Sequence, residues 1–188
     1  MTYALDKPQH FVHSGLNWLQ FKSLKAAFDG SPGVRVSYFN GEIEIVTVSP
    51  LHGIVAGNLG FLLELWFLKQ GIAFVATEDM TVEEENLASA QGDKSYSFGE
   101  QKNIPDLVIE VVITGEGETK LARYAALGVQ EVWFWQDNQI RIHQLVGATY
   151  QLSKASQFAA SLDVNRLATS AVIKNRAEAL ASFQQSSY

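Results

Sequence analysis

Two carboxylates and a lysine mark the segment 105–120, PDLVIEVVITGEGETK, as the part of the chain best suited to chemistry. Glu110 stands within a run of Val, Ile and Leu that predicts a buried strand, and alternation puts Asp106 on the same face. Lys120 follows ten residues after Glu110. Because an unpaired carboxylate is costly to remove from water, Glu110 requires a positively charged partner.

Two interpretations of Glu110 follow from this requirement. The first is a structural ion pair with Lys120 or Arg123. The second is a ligand of a hard divalent cation such as Mg²⁺, which binds carboxylate oxygens and water. Lys120 would then orient an attacking water or stabilise charge that develops in a transition state. The acid–acid–lysine spacing also arises by chance, so spacing alone leaves both interpretations open.

Two further carboxylates are candidates for the same site. Glu44 lies on the polar face of a predicted strand, where a solvated side chain is the ordinary interpretation. Asp93 opens another predicted strand and could equally be a turn residue. The run Glu83-Glu84-Glu85 is typical of a solvated surface, and Asp106, after Pro105, is expected at a hydrated strand end.

The elements that must position these residues alternate between helical and extended patterns. A helix is predicted over 14–29, capped by Ser14, a second over 51–70, a third that ends before Gly128, and a weak one around 170–183. The segment 77–93 is predicted to be irregular, and the tail from about residue 150 is predicted to contain TYQL and a polar connector before the weak helix. The predicted strands cover 34–39, 42–48, 72–77, 94–100, 105–113 and a pair within 131–145 at the sheet edge.

This order predicts one mixed α/β or α+β sheet flanked by helices. We expect a single domain over 1–188, with an N-terminal helix and hairpin at 14–48, a core at 51–146 and a tail at 150–188. The aromatic residues of VWFW are expected in the core. The edge of the strand pair 131–145 would benefit from cover, which favours a homodimer.

Composition narrows the function classes. The absence of cysteine excludes disulfides and thiolate metal sites, and a net charge of −6 without a Lys/Arg cluster argues against a protein that only coats nucleic acid. No signal-peptide pattern and no apolar run of about 18 residues is seen, so a cytoplasmic protein without a membrane span is expected. The histidines lack metal-site spacing, and His52 reads as an exposed residue at a helix start. GxSxG, P-loop and dinucleotide motifs are absent from the sequence.

Four segments in order resemble the Uma-two family of restriction-endonuclease-like proteins, within the PD-(D/E)xK nuclease superfamily. They are NGEIEIVTVSP, DKSYSF, PDLVIEVV and the pattern K-x-x-x-Y-x-x-x-G-V-x-E-V-W. The resemblance spans roughly 14–146 and is most specific over 105–135, where Lys120, Tyr124 and Gly128 all match. It implies a restriction-endonuclease-like fold, a mixed central sheet flanked by helices.

The resemblance also implies a site with one acid on each of two central strands and a lysine. Carried over, these are Asp93, Glu110 and Lys120, the lysine having moved to the next helix because Val112 occupies its usual place. Glu44 matches a fourth site member, and Asp93, Glu110 and Glu44 would be the metal ligands. Asp106 is an alternative first ligand, ranked lower because about 13 Å of strand separates it from Glu110.

The chain departs from the family pattern at two places. Gly92 stands where a proline commonly precedes the first acid, and Ile113-Thr114 replaces a Ser-Pro. The expected function is that of a Mg²⁺- or Mn²⁺-dependent deoxyribonuclease, a homodimer that hydrolyses DNA. The alternative is a catalytically silent protein of the same fold that binds nucleic acid or protein as a dimer, with its acids in ordinary ion pairs.

Overall fold

The computed structural model describes residues 9–78, 80–113 and 117–185, so Thr114 of the departing loop lies outside the described part. Five α-helices occur there, α1 (Trp18–Ala27), α2 (Pro50–Gln70), α3 (Leu121–Ala126), α4 (Val164–Ser170) and α5 (Arg176–Gln184), and a 3₁₀ turn, Gly117–Lys120, precedes α3. The strands are β1 (His10–Ser14), β2 (Val34–Phe39), β3 (Glu42–Thr47), β4 (Phe74–Ala76), β5 (Thr81–Glu84), β6 (Ala88–Gln91), β7 (Lys94–Phe98), β8 (Leu107–Val111), β9 (Glu131–Gln136), β10 (Gln139–Val146) and β11 (Thr149–Ser153).

The strands form two sheets rather than the single sheet expected from sequence. One has five strands in the order β1-β3-β2-β6-β5, and the other has six in the order β11-β10-β9-β8-β7-β4. The six-stranded sheet is mixed, since β8 and β9 run parallel while its other neighbours run antiparallel. The 3₁₀ turn and α3 connect that parallel pair, so the expected mixed class with flanking helices is confirmed.

The six-stranded sheet buries both of its faces. Leu107 and Ile109 of β8 share a core with residues of α2, α4 and α5. Val108, on the opposite face, packs with Tyr124 of α3 and with the β5–β6 hairpin. Glu110 alternates onto this second face, among apolar neighbours, as the sequence predicted. The aromatic residues of VWFW are buried, as expected.

Helix α2 lies on the first face of this sheet. By length and composition alone it could cross a membrane, which the search for apolar runs in the sequence missed. In the structure Leu59, Leu62 and Phe67 are fully buried within the protein core. The buried core helices of globular proteins can be equally long and apolar, and α2 packs as such a core helix.

The N-terminal helix begins later than predicted. Asn17, not Ser14, caps α1: its side chain accepts a hydrogen bond from the N–H of Gln20, and the Gln20 side chain accepts one from the N–H of Asn17. This reciprocal capping box satisfies two backbone donors at once. Ser14 instead ends β1, opposite Glu42.

The segment predicted to be irregular forms the β5–β6 hairpin. Its strand β6 contains Ala88, Ser89 and Ala90, which have little strand propensity of their own, so tertiary pairing decides their conformation. Glu83 is also not simply solvated, because Lys22 and Lys25 lie 2.9 and 2.5 Å from its carboxylate oxygens. This hairpin is thereby tied to α1.

The C-terminal part carries more structure than predicted. TYQL belongs to β11, which pairs with β10 and forms the sheet edge, so the pair within 131–145 is interior. The edge argument for a homodimer therefore no longer applies to that pair. The weak helix expected around 170–183 is replaced by two helices, α4 and α5, whose apolar residues join the core beneath α2.

Candidate functional site

A cavity of about 90 Å³ lies between the two sheets. Its walls come from β2 and β3 of one sheet, from β8 and the residue before β7 of the other, and from the start of α2 and the 3₁₀ turn. All four site residues predicted from sequence line this cavity, namely Glu44, Asp93, Glu110 and Lys120. The fold thus brings together side chains that lie up to 76 positions apart in the chain.

Asp93 binds β8 on both sides of Glu110. The backbone N–H of Asp93 donates to the carbonyl of Ile109 over 2.9 Å, and Asp93 Oδ2 accepts from the N–H of Val111 over 2.6 Å. Since Ile109 and Val111 flank Glu110 in sequence, the two predicted acids are fixed side by side on neighbouring chain segments.

Two glycines permit this close arrangement. A Cβ at Gly92 would lie 2.4 Å from Val108 Cγ1, so only glycine lets the aspartate that follows approach β8. A proline at this position would carry the same Cβ and meet the same clash. A Cβ at Gly117 would lie 2.7 Å from Phe134 Cδ1, so the 3₁₀ turn also packs tightly on the sheet. That packing returns Lys120 towards the cavity.

Glu110 is 3% exposed and both of its oxygens have donors. Lys120 Nζ lies 2.8 Å from Oε2, and the Tyr124 hydroxyl donates a short hydrogen bond to Oε1. Lys120, rather than Arg123, is therefore the ion-pair partner. Burial would lower the pKa of Lys120, but the negative charges of Glu110 and Glu44 raise it above its ordinary value, so the amine is an ammonium at neutral pH.

Asp93 is held by basic residues from outside its own sheet. His52 Nε2, from the first turn of α2, donates to Oδ2 over 3.0 Å, because an ionised carboxylate only accepts. Arg35 Nη1, from β2, lies 2.5 Å from Oδ1. Burial would raise the pKa of Asp93, but the hydrogen bond from His52 and the charge of Arg35 lower it, so the group is ionised at neutral pH.

The two oxygens of Asp93 differ in their hydrogen bonding. Oδ1 has no hydrogen-bond partner within the described residues, although the Arg35 guanidinium is adjacent. The contact with Arg35 therefore supplies charge without the alignment of a hydrogen bond.

Glu44 is 8% exposed and not on a solvated face, contrary to its ordinary interpretation. Arg123 Nη2 lies 3.0 Å from Oε2, and His10 Nε2 lies 3.0 Å from Oε1. Burial would raise the pKa of Glu44, but the charges of Lys120 and Arg123 lower it. Ser37 connects the pair, accepting a short hydrogen bond from Arg123 and donating to Glu44 over 3.3 Å.

Asp106 lies outside the cavity lining, at the opposite end of β8. It is 3% exposed, so the hydrated strand end expected from sequence is wrong. Its Oδ2 accepts from the N–H of Phe98 over 2.8 Å and from Lys102 Nζ over 2.6 Å. Asp106 therefore has donors of its own and does not reach the cavity that Asp93, Glu110 and Lys120 line, so its placement does not favour it as the first ligand.

Sequence reasoning missed the partners of the predicted acids. Arg35 and His52 carry no local signal, because they lie 58 and 41 positions before Asp93 and are joined to it only by the fold. Tyr124 did carry a local sequence signal. It stands four residues after Lys120, a spacing that puts both side chains on the same face of a helix.

The donor set is compatible with a divalent cation of the magnesium type. Within the described residues no three His, Asp or Glu side chains form a ready-made metal cluster. Mg²⁺, however, is usually held by one or two carboxylates and otherwise by water and phosphate. Asp93 and Glu110 supply two adjacent carboxylates, and Asp93 Oδ1 has no hydrogen-bond partner within the described residues, although Arg35 contacts it.

Comparisons with known proteins agree with this fold. Among curated proteins, none matches the chain. Among solved structures, it is similar to that of "a putative nuclease belonging to DUF820" from Anabaena variabilis ATCC 29413, with a TM-score of 0.55 and 13% identity, over 84% of this chain and 99% of that one. At this identity the likeness concerns the fold. The Uma2 family model, described as "Putative restriction endonuclease", matches residues 18–173, so the chain belongs to the Uma2 family, as its motifs predicted.

Proposed function

We propose that this protein is a metal-dependent endonuclease that hydrolyses phosphodiester bonds of DNA. The observation that carries the proposal is the convergence of Asp93, Glu110 and Lys120 on one cavity between the sheets. The description of the Uma2 family as a restriction endonuclease supports the reaction class.

Asp93 and Glu110 would hold Mg²⁺ or Mn²⁺, with Glu44 as a further ligand from the opposite sheet. When bound, such an ion polarises a phosphoryl oxygen and makes a bound water more acidic. Val111 and His52 fix the orientation of Asp93 through Oδ2, so the carboxylate is in place before any ligand arrives. This fixed orientation lowers the entropic cost of binding.

Lys120 would act as a cation and hydrogen-bond donor. Without a metal, the charges of Glu110 and Glu44 raise its pKa, so the amine is an ammonium, which donates but does not accept. In hydrolysis, the water oxygen bonds to phosphorus and gives up a proton to solvent, while the bond to the leaving sugar oxygen breaks and that oxygen takes up a proton from solvent. The ammonium would orient that water or stabilise the charge developing on the phosphoryl oxygens.

The charges around the cavity suit an anionic substrate once a cation is bound. Its three carboxylates are matched by three permanently basic side chains, Arg35, Lys120 and Arg123. A divalent cation would therefore make the neighbourhood net positive, although the whole chain carries −6. Local charge, rather than a basic surface stripe, would attract the phosphodiester.

The same ion pairs support one alternative, a catalytically silent protein that binds nucleic acid or another protein. Glu110 is neutralised by Lys120, and Glu44 by Arg123, without any metal. In that case the fold would persist while the chemistry is lost.

A cleavage assay separates the two possibilities. Wild type and Glu110→Ala are incubated with supercoiled plasmid, single-stranded DNA or RNA, in Mn²⁺ or Mg²⁺ and with a chelator control. Metal-dependent cleavage of DNA by wild type alone is the expected result, and cleavage of RNA alone would correct the substrate. Binding of DNA without cleavage under every metal condition would favour the silent protein, and equal cleavage by both proteins would remove Glu110 from the site.

A further inference from the structure

Arg35 differs from the other cations of the cavity in how it contacts its carboxylate. Lys120 donates a hydrogen bond to Glu110, and Arg123 donates one to Glu44. Arg35 Nη1 lies 2.5 Å from Asp93 Oδ1, yet that oxygen has no hydrogen-bond partner within the described part of the chain. Arg35 therefore compensates charge without the directional bond that would hold it there.

The position of Arg35 allows it to leave Asp93 without disturbing the carboxylate. Its side chain is 21% exposed, whereas that of Asp93 is 1% exposed. Asp93 keeps two donors, Val111 N–H and His52, if the guanidinium moves. Arg35 belongs to β2, in the sheet opposite Asp93, so its movement does not require β7 or β8 to shift.

We propose that Arg35, which contacts Asp93 Oδ1 in the structure, competes with a divalent cation for that oxygen and moves to the substrate phosphate when the metal binds. This inference rests on the proposed function and adds a regulation of the same site. Guanidinium groups bind phosphodiester oxygens with paired hydrogen bonds, which Oδ1 does not provide in the present arrangement. The phosphate would thus draw Arg35 away from Asp93 and open Oδ1 to the metal.

This competition has a thermodynamic consequence. A buried ionised carboxylate is costly without a cation, so Arg35 stabilises the metal-free site. The same contact weakens metal binding, since a neighbouring positive charge disfavours a second one on the same oxygen. Because coupling between two ligands is reciprocal, phosphate and metal should each raise the affinity for the other.

The test measures Mn²⁺ affinity by titration calorimetry in the absence of DNA. Arg35→Met removes the charge and keeps a similar length, and Arg141→Met is the matched control, because Arg141 is an exposed residue paired with Glu118 outside the cavity lining. Nearby charges change proton affinity of a carboxylate by about tenfold or more, and we expect Arg35→Met to bind Mn²⁺ tighter by about that factor. Arg141→Met should bind as wild type does.

A second titration uses dimethyl phosphate, a phosphodiester that lacks a base and a sugar. It should tighten Mn²⁺ binding by wild type and by Arg141→Met, but not by Arg35→Met. Circular dichroism checks that each variant is folded, and Arg35→Gln provides a second uncharged side chain if Arg35→Met fails to fold.

The outcomes separate this inference from the proposed nuclease. Unchanged or weaker Mn²⁺ binding by the folded uncharged variants would overturn the role of Arg35, while Mn²⁺-dependent cleavage by wild type would leave the nuclease intact. Failure of wild type and of both Arg35 variants to bind Mn²⁺ would overturn both. Tighter binding by the Arg35 variants, together with loss of the dimethyl phosphate effect, would support the inference.

Discussion

Lys120 Nζ lies 2.8 Å from Glu110 Oε2, which pairs the buried acid of β8 with a lysine from the turn that follows it. Sequence spacing left an ion pair and a metal site as alternatives for Glu110, and this contact shows that Lys120 and Glu110 form an ion pair. The two roles are compatible, because a carboxylate oxygen has more than one lone pair. The ion pair alone therefore does not distinguish a structural role of Glu110 from a metal-binding one, and a measurement of metal binding and cleavage is needed.

The role of Lys120 is open to a direct test. Replacing the lysine by methionine, Lys120→Met, should lower kcat by about 10²–10³, the range for loss of one donor to a developing oxyanion. Mn²⁺ affinity should not weaken, since the variant removes a positive charge beside Glu110. Single-turnover cleavage and Mn²⁺ titration measure the two effects separately. If Lys120→Met lost Mn²⁺ binding and also had a lower kcat, the role of Lys120 would instead be to hold the metal ligand Glu110 in place.

Tyr124 is predicted to position Glu110. Burial and the Glu110 charge raise the pKa of Tyr124 well above its ordinary value, so the hydroxyl remains a donor throughout the physiological range. Tyr124→Phe should lower the free energy of unfolding by about 1–3 kcal/mol, because Oε1 of Glu110 loses its donor. Urea unfolding measures this change.

The same variant distinguishes positioning from a purely structural role. If Tyr124 positions Glu110 for a metal, Tyr124→Phe should also weaken Mn²⁺ binding, whereas Tyr150→Phe should not, because the Tyr150 hydroxyl bonds the Val129 carbonyl away from the cavity. If Tyr124→Phe were destabilised but bound Mn²⁺ with unchanged affinity, Tyr124 would contribute to the stability of the fold and not to metal binding.

Gly92 is predicted to be essential for the position of Asp93. In Gly92→Ala the new methyl group would meet Val108 Cγ1 at 2.4 Å, and such overpacking costs about 1–3 kcal/mol. We expect lower stability together with weaker Mn²⁺ binding. The double variant Gly92→Ala/Val108→Ala removes the clashing atom and should recover part of the metal affinity. No recovery would show that another contact, not Val108, requires glycine at this position.

Glu83 should contribute to the acid sensitivity of the fold. Burial would raise the pKa of Glu83, but hydrogen bonds from Lys25 and Lys22 lower it to about 2 from its ordinary 4.5. A folded-state pKa below the unfolded one means that this stabilisation is present above about pH 4.5 and is lost as the pH falls towards 2. Thermal unfolding of wild type and Glu83→Gln across this window should give a shallower pH dependence for the variant. If the unfolding temperatures of wild type and Glu83→Gln changed equally with pH, that result would contradict the lowered pKa of Glu83.

Local sequence patterns predicted those helices, strands and turns whose conformation is set by residues close together in the chain. The hairpin at Asn40-Gly41, the end of α2 before Gly71 and the alternation of β8 were all confirmed. The β5–β6 hairpin was missed because β6 is formed from Ala88 and Ser89, residues that pair with β2 only in the folded chain. That pairing adds the β5–β6 hairpin to the sheet of β1, β3 and β2.

In the candidate site, too, contacts between distant parts of the chain could not be predicted from the sequence. Asp93, Glu110 and Lys120 were predicted as site residues from their types and positions as well as from family motifs, and in the structure all three line one cavity. Arg35 and His52 were not found, because their contacts with Asp93 join distant parts of the chain and leave no periodic pattern. Lys120, by contrast, lies ten residues from its partner Glu110 and was predicted from that spacing.

The most direct test of the proposed site compares two buried aspartates that flank the same strand. Asp93→Asn alters the cavity, whereas Asp106→Asn alters the opposite end of β8, where the carboxylate binds Lys102. The measurement is the initial rate of Mn²⁺-dependent plasmid cleavage by wild type and both variants, each shown to be folded by circular dichroism. The proposal predicts loss of cleavage in Asp93→Asn and retention in Asp106→Asn. Cleavage by Asp93→Asn at the wild-type rate would contradict it.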